Sequence, residues 1–306
     1  MKKITALLLA AVMAVSLAGC SSSPKEEEKQ TSITIQFVPT NNDGIDATTE
    51  SFASYLENIL GLDVNVTVAT DYTTIVEAME SGKVDVGIMP PAAYVQARSL
   101  GAAKAILSST LVDYDQETEM PIEGSTTGTF KAEVLVKADA DINSYEDLAG
   151  KNIAYLGVAS ASGYIYPIAE MKAAGVDINS CNLTAISDVT SAIKAVYNGQ
   201  VDACFTFEGS RYVFRNAITD DSGNPVDLFK SLKVAKLSDG DIPNDAIAVL
   251  PSMSEDLQKA IQDAFLQMAS EEEGLKIMSA WGHTGYVAAN DSAYDTIEQY
   301  IASAGE

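Results

Sequence analysis

One pattern occurs twice in this chain, and it constrains the fold more than any other feature. The first copy is Thr70-Asp71-Tyr72-Thr73-Thr74-Ile75-Val76-Glu77-Ala78-Met79-Glu80-Ser81-Gly82-Lys83-Val84-Asp85. The second is Ser187-Asp188-Val189-Thr190-Ser191-Ala192-Ile193-Lys194-Ala195-Val196-Tyr197-Asn198-Gly199-Gln200-Val201-Asp202. They align without a gap. Each has a hydroxyl residue and an Asp suited to capping a helix, an apolar helix, a small-polar/Gly stop, and Val-Asp opening a strand. Alternating segments flank each copy and predict strands over 33–38, 64–68 and 84–88, then 151–156 and 182–186. Helices are predicted between them, over 52–60 and 164–174 among others. Strands alternating with helices at this spacing indicate βαβ units. The expected fold is therefore α/β and two-lobed, with two mostly parallel sheets carrying helices on both faces.

Segments 131–136 and 244–250 read as the two hinge crossings between lobes, and 254–268 as an amphipathic helix. Lobe one is then 31–130 plus 247–306, and lobe two 131–246. Ligands of open α/β sheets bind off the carboxyl ends of the strands, so the cleft between lobes is the expected site.

Within lobe two, Ser160-Ala161-Ser162-Gly163-Tyr164 joins a short strand to a helix whose first turn holds Pro167, where a missing N–H costs little. Two hydroxyls and the N–H groups of Gly163 and Tyr164 would then meet at a helix start, where free donors and the helix dipole both favour an anion. An ordinary helix cap is the alternative. Hydrogen bonds to a charged group contribute roughly 1.5–3 kcal/mol each, so four supply much of the roughly 8 kcal/mol of a micromolar affinity.

The amino terminus predicts export. Lys2 and Lys3 precede an apolar run over 4–17 that is shorter than the ~20 residues of a membrane-spanning helix. Leu17-Ala18-Gly19-Cys20 resembles a lipobox, making 1–20 a lipoprotein signal peptide and Cys20 the lipidation site. Residues 21–32 read as a flexible tether. The expected location is the extracytoplasmic face of the cell membrane, held through lipid only.

The chain carries 43 Asp+Glu against 19 Lys+Arg. With no basic stripe, a nucleic-acid partner is not expected, and local donors rather than the overall field must hold an anion. The single His283 and scattered cysteines offer no metal or cofactor motif, and Cys181 and Cys204 read as small buried thiols. No nucleophile elbow or Ser/His pairing suggests an enzyme.

Val38-Pro39, Ala69-Thr70-Asp71-Tyr72, Gly82-Lys83-Val84-Asp85, Ser160 to Tyr164, Asn198 to Asp202 and Ile242-Pro243-Asn244-Asp245 together resemble the phosphate/phosphite/phosphonate-binding lipoproteins of ABC importers. The similarity runs through nearly all of the mature chain. It implies a type II periplasmic-binding fold that closes on a small anionic ligand and delivers it to permease and ATPase subunits. It also implies that Ser160 and Ser162 match the family's Ser-Thr-Ser-Gly oxyanion loop, that Tyr72 faces the ligand, and that Glu208 or a neighbour supplies an acidic residue. Ala161, Val189 and Phe130 stand where many members have Thr, His and Tyr.

Thr73 and Thr190 are candidates to face the cleft. Tyr94 either lines it or packs beneath it. Tyr72, Phe207 and Phe130 form either an apolar wall or lobe core. Asp71 and Asp188 read as helix caps, and Arg211 and Arg215 as a solvated helix face. The leading expectation is a monomeric solute receptor for a phosphonate, phosphite or phosphate ester. Alternatives are the same role for a more apolar organic ligand, or a ligand-sensing lipoprotein without transport.

Overall fold

A computed structural model describes residues 30–38, 45–220 and 222–305. The expected signal peptide, Cys20 and most of the tether lie outside the described residues. The strands are β1 (Ser32–Phe37), β2 (Asp63–Val68), β3 (Val86–Met89), β4 (Lys104–Tyr114), β5 (Pro121–Thr127), β6 (Thr129–Phe130) and β7 (Ala132–Lys137), then β8 (Asn152–Tyr155), β9 (Asn182–Ala185), β10 (Ala203–Phe207), β11 (Leu232–Leu237), β12 (Ile242–Pro243), β13 (Ala246–Val249) and β14 (Gly285–Ala288). The helices are α1 (Ile45–Leu60), α2 (Tyr72–Glu80), α3 (Pro91–Ser99), α4 (Tyr166–Ala173), α5 (Val189–Tyr197), α6 (Ser210–Val213), α7 (Leu228–Ser231), α8 (Glu255–Met268), α9 (Glu272–Met278) and α10 (Asp295–Gly305).

One sheet has the order β14-β4-β13-β3-β1-β2 with β5 beside β4, and the other β11-β7-β10-β8-β9. Only one side of each is parallel: β2-β1-β3 in the first and β9-β8-β10 in the second. The remaining pairs are antiparallel, so the sheets are mixed rather than mostly parallel. The reason is topological. Strands β7 and β13, each entered directly from the other sheet, run against the βαβ strands, and the β4–β5 hairpin and β14 add further antiparallel pairs.

The chain passes from one large sheet to the other at β6 and β12, just before the segments expected. β6 and β12 pair antiparallel, Phe130 against Ile242, as a two-stranded sheet of their own. β7 and β13 are already fully inside the two large sheets, and all four residues of β13 are buried.

The duplicated pattern is equivalent in three dimensions. Asp71 accepts the Thr74 N–H at 2.8 Å, and Asp188 accepts the Ser191 N–H at 2.8 Å. Asp85 Oδ2 accepts the Thr34 N–H at 2.7 Å while the Asp85 N–H donates to the Thr34 carbonyl. Asp202 repeats this with Asn152 at 2.8 Å in both directions. Each Val-Asp thus ties its incoming strand to the first of the parallel strands in its own sheet, β1 or β8.

Apolar residues cover both faces of both sheets. The C-terminal helix α10 is shared. Arg98 of α3 bonds Asp295 and Glu298, and Tyr300 stacks on Tyr166 of α4 at 3.7 Å. No helix among the described residues is long and apolar enough to cross a membrane.

Candidate functional site

The parallel strands β2, β8, β9 and β10 each run at the carboxyl end into a segment that holds expected site residues. β8 leads into the 156–165 turn, β9 into α5, β2 into α2, and β10 ends at Phe207 and Glu208. The turn is the most constrained of these. Residues Ala161–Ile165 form a single π-turn before α4, with Ile165 N–H on the Ser160 carbonyl at 2.9 Å. Pro167 explains the wide turn: it has no N–H for the Gly163 carbonyl, which instead accepts the Leu156 N–H at 3.2 Å. A Cβ on Gly163 would sit 2.6 Å from Leu156 Cβ and 2.8 Å from Ser160 Oγ, so only glycine fits.

Ser160 Oγ accepts the Gly163 N–H at 3.0 Å. This corrects one expectation: the Gly163 amide is spent on the cap, leaving it committed before any ligand arrives. Ser160 and Ser162 are buried, and the half-buried Tyr164 ring packs on Tyr155 at 5.0 Å.

Tyr72, the first residue of α2, comes from the other sheet. Tyr72 packs against the apolar cluster that holds Ala161 and Ile165 of the turn, with its phenol near the Ser160 side chain. Its pKa is pushed up to about 12, by burial first and then by the Asp245 carboxylate, with the Ser160 contact opposing. Thr73 is exposed beside it, and Thr190 is half-buried at the start of α5. Phe207 is half-buried and faces Phe214 at 6.1 Å, and Phe130 packs at the crossing. Glu208 Oε2 accepts the Lys131 N–H at 3.1 Å. Burial raises its pKa, with that hydrogen bond opposing.

Tyr94 does not line the cleft. It is 1 % exposed, its hydroxyl bonds Asp291 and accepts the Ala105 N–H, and its ring packs on Tyr294 at 4.8 Å. The Pro-Pro opening of α3 turns this face into the sheet, making Tyr94 core.

Over residues 35–294 the sequence matches the family described as ABC transporter, phosphonate, periplasmic substrate-binding protein. The chain belongs to this phosphonate-binding family. The phosphate-import protein PhnD of Mycolicibacterium smegmatis is 31% identical over 215 residues, covering 65% of this chain and 64% of that protein. The match thus spans a little under two thirds of that relative. A binding-protein component of an ABC phosphonate transporter from Pseudomonas aeruginosa is 20% identical, with TM-score 0.69 and coverage of 90% and 87%. PhnD1 from Prochlorococcus marinus in complex with methylphosphonate is 16% identical, with TM-score 0.67 and coverage of 88% and 97%. These neighbours share the type II periplasmic-binding fold.

Two features of this family member escape sequence reasoning. His283 is buried and bonded on both ring nitrogens, to Tyr286 and Asp245 at 3.3 Å each. Arg211 is buried too, its guanidinium bonded to Glu119 and, at 2.7 Å, to the Leu232 carbonyl, whereas Arg215 remains exposed. The local pattern does not signal the ion pairs, because Asp245 lies 38 residues from His283 and Glu119 lies 92 residues from Arg211. Cys181 and Cys204 are free thiols, Cys204 buried and Cys181 half-buried on the Leu148 carbonyl. Among the described residues no His/Cys/Asp/Glu group could hold a metal ion.

Proposed function

We propose that this chain is the extracytoplasmic receptor of an ABC importer and captures a small phosphorus oxyanion between its two lobes. The observation that carries the reading is the Ser160–Tyr164 turn of one sheet meeting Tyr72 of the other, in a chain of the phosphonate-binding family. Ser162, the turn's remaining backbone donors and the Tyr72 hydroxyl would hold the oxyanion; Thr190 and Glu208 stand at the same edge. The lobes, 31–130 with 247–306 and 131–246, would close about the β6–β12 crossing. The receptor works as a monomer, performs no catalysis, is anchored through lipid on Cys20, and hands its ligand to a permease and its ATPase.

The Tyr155–Tyr164 and Phe207–Phe214 ring pairs favour a second reading, in which the ligand also carries an organic substituent. A thermal-shift panel of methylphosphonate, phosphite, phosphate, nucleosides and vitamins tests both. A ligand at a hundred times its Kd adds roughly 2.7 kcal/mol of stability. A rise in Tm with a phosphorus oxyanion is expected; a rise with nucleosides or vitamins alone would overturn the oxyanion assignment.

A further inference from the structure

The serine turn leads without a break into a helix that grips the second crossing. Tyr166, first in α4, donates its O–H to the Asp241 carbonyl at 3.2 Å, one residue before β12. One helical turn on, Glu170 Oε2 accepts the Asp239 N–H at 2.9 Å and Oε1 accepts the Gly240 N–H at 3.0 Å. Both α4 side chains are buried. The backbone entering β12 is therefore fastened to the helix that starts at the proposed oxyanion turn.

Helix α10 closes over this junction. Tyr300 lies flat on Tyr166, with an interplanar angle of 8°, and its O–H donates to Glu170 Oε1 at 2.9 Å. A Cβ on Gly240 would stand 2.3 Å from the Tyr300 hydroxyl, so the crossing comes this close only as glycine. Lys172 of α4 donates to the Ser303 and Ala304 carbonyls at 3.3 and 2.8 Å, which gives the carboxyl end of α10 both donors and a positive charge. The opposite end of α10 is fastened to α3, where Arg98 bonds Asp295 at 2.9 Å and Glu298 at 2.7 Å. Just ahead of α10, Tyr294 packs on Tyr94 of the same helix.

α10 thus starts on a helix of one sheet and ends on a helix of the other, as a third link beside β6 and β12. Two short strands side by side form a hinge about which the sheets can swing. A helix fastened to both sides resists that swing until one of its ends lets go. We propose that α10 is a strap that holds the two sheets in the arrangement seen here, so that Tyr300 and Arg98 help set ligand affinity although neither is a donor to the ligand. This rests on the receptor reading above. A ligand gripped between the sheets binds more weakly in proportion to the time the sheets spend apart.

Small-angle scattering of the full chain without ligand, paired with titration calorimetry against methylphosphonate, phosphite and phosphate, tests it. Tyr300→Ala at one end and Arg98→Met at the other should each enlarge the ligand-free radius of gyration and weaken binding about tenfold. Saturating ligand should return both variants to the wild-type radius, which a damaged fold would not do. A strap cut at either end is already cut, so the double variant should bind within about twofold of the weaker single one. Tyr300→Phe keeps the stacked ring, loses only the bond to Glu170, and should show a smaller loss of the same kind. Wild-type radius and affinity in Tyr300→Phe and Arg98→Met would overturn the strap. So would a radius that ligand does not restore, or single losses that multiply in the double variant. Wild-type protein that binds none of the three oxyanions would overturn the receptor reading instead, and the affinity role of α10 with it.

Discussion

Gly163 shows how little freedom a single position has here. Its absent Cβ lets Leu156 and Ser160 close around the turn, and its amide is the one that Ser160 caps. Gly163→Ala should displace the turn and weaken ligand binding at least tenfold, or about 1.4 kcal/mol, in calorimetry. Ser162→Ala removes a hydroxyl without disturbing the cap. It should cost roughly 1.5–3 kcal/mol of binding, the contribution of a hydrogen bond to a charged group, with Tm in the absence of ligand nearly unchanged. An affinity equal to wild type in Ser162→Ala would remove that hydroxyl from the site.

At the scale of elements, α2 and α5 start on equivalent caps. Asp71 is held below the usual carboxylate range by the Thr74 backbone and side-chain hydrogen bonds. For Asp188, burial is the largest influence and pushes upward, but the Ser191 backbone and side-chain bonds together outweigh it and the net shift is downward. A depressed carboxylate stabilises the fold above its unfolded pKa, and that contribution disappears as acid protonates it through its folded pKa. Asp71→Ala and Asp188→Ala should each cost about 1 kcal/mol at neutral pH. In chemical denaturation the difference from wild type should shrink toward zero under acid conditions. A penalty of unchanged size in acid would mean that the caps act through packing rather than charge.

Across the whole molecule, the β4–β5 hairpin links the two sheets a second time. Its tip places Glu119, 1 % exposed and at φ +55, among Arg211, Glu133 and Ser210 of the other sheet. Among the described residues Glu119 Oε1 and Glu133 Oε2 have no hydrogen-bond partner, and the Glu119 carboxylate lies close enough to act on Glu133. Burial, then the hydrogen bond with Glu119 and its charge, holds Glu133 well above the ordinary glutamate range. The folded state therefore keeps a proton that the unfolded chain loses, and stability falls as pH rises above that range. Glu133→Gln should raise Tm at neutral pH and give no gain in acid. Arg211→Met, which strands Glu119, should cost roughly 3–5 kcal/mol in denaturant unfolding at neutral pH. A neutral effect of Arg211→Met would show that the latch contributes nothing to stability.

The sequence by itself determined whatever depends on neighbours along the chain: alternation for the strands, Asp caps, glycine stops, the serine turn before Pro167, and hence the α/β fold and the family. Its reading of Tyr72 as a ligand-facing residue came from resemblance, and the structure packs Tyr72 against the cluster that holds Ala161 and Ile165. What needed the tertiary structure was everything fixed by distant pairing. The antiparallel pairs of each sheet follow from the order in which the chain enters it, from the other sheet at β7 and β13 and by hairpin at β5. Tyr94 became core because α3 packs it between β4 and the segment leading into α10, Arg211 became a buried partner because a hairpin from the other sheet reaches it, and Asp245 met His283 only when β13 and β14 flanked β4. Local backbone chemistry is written in adjacent residues. Side-chain burial and charge pairing are set by residues that folding alone brings together.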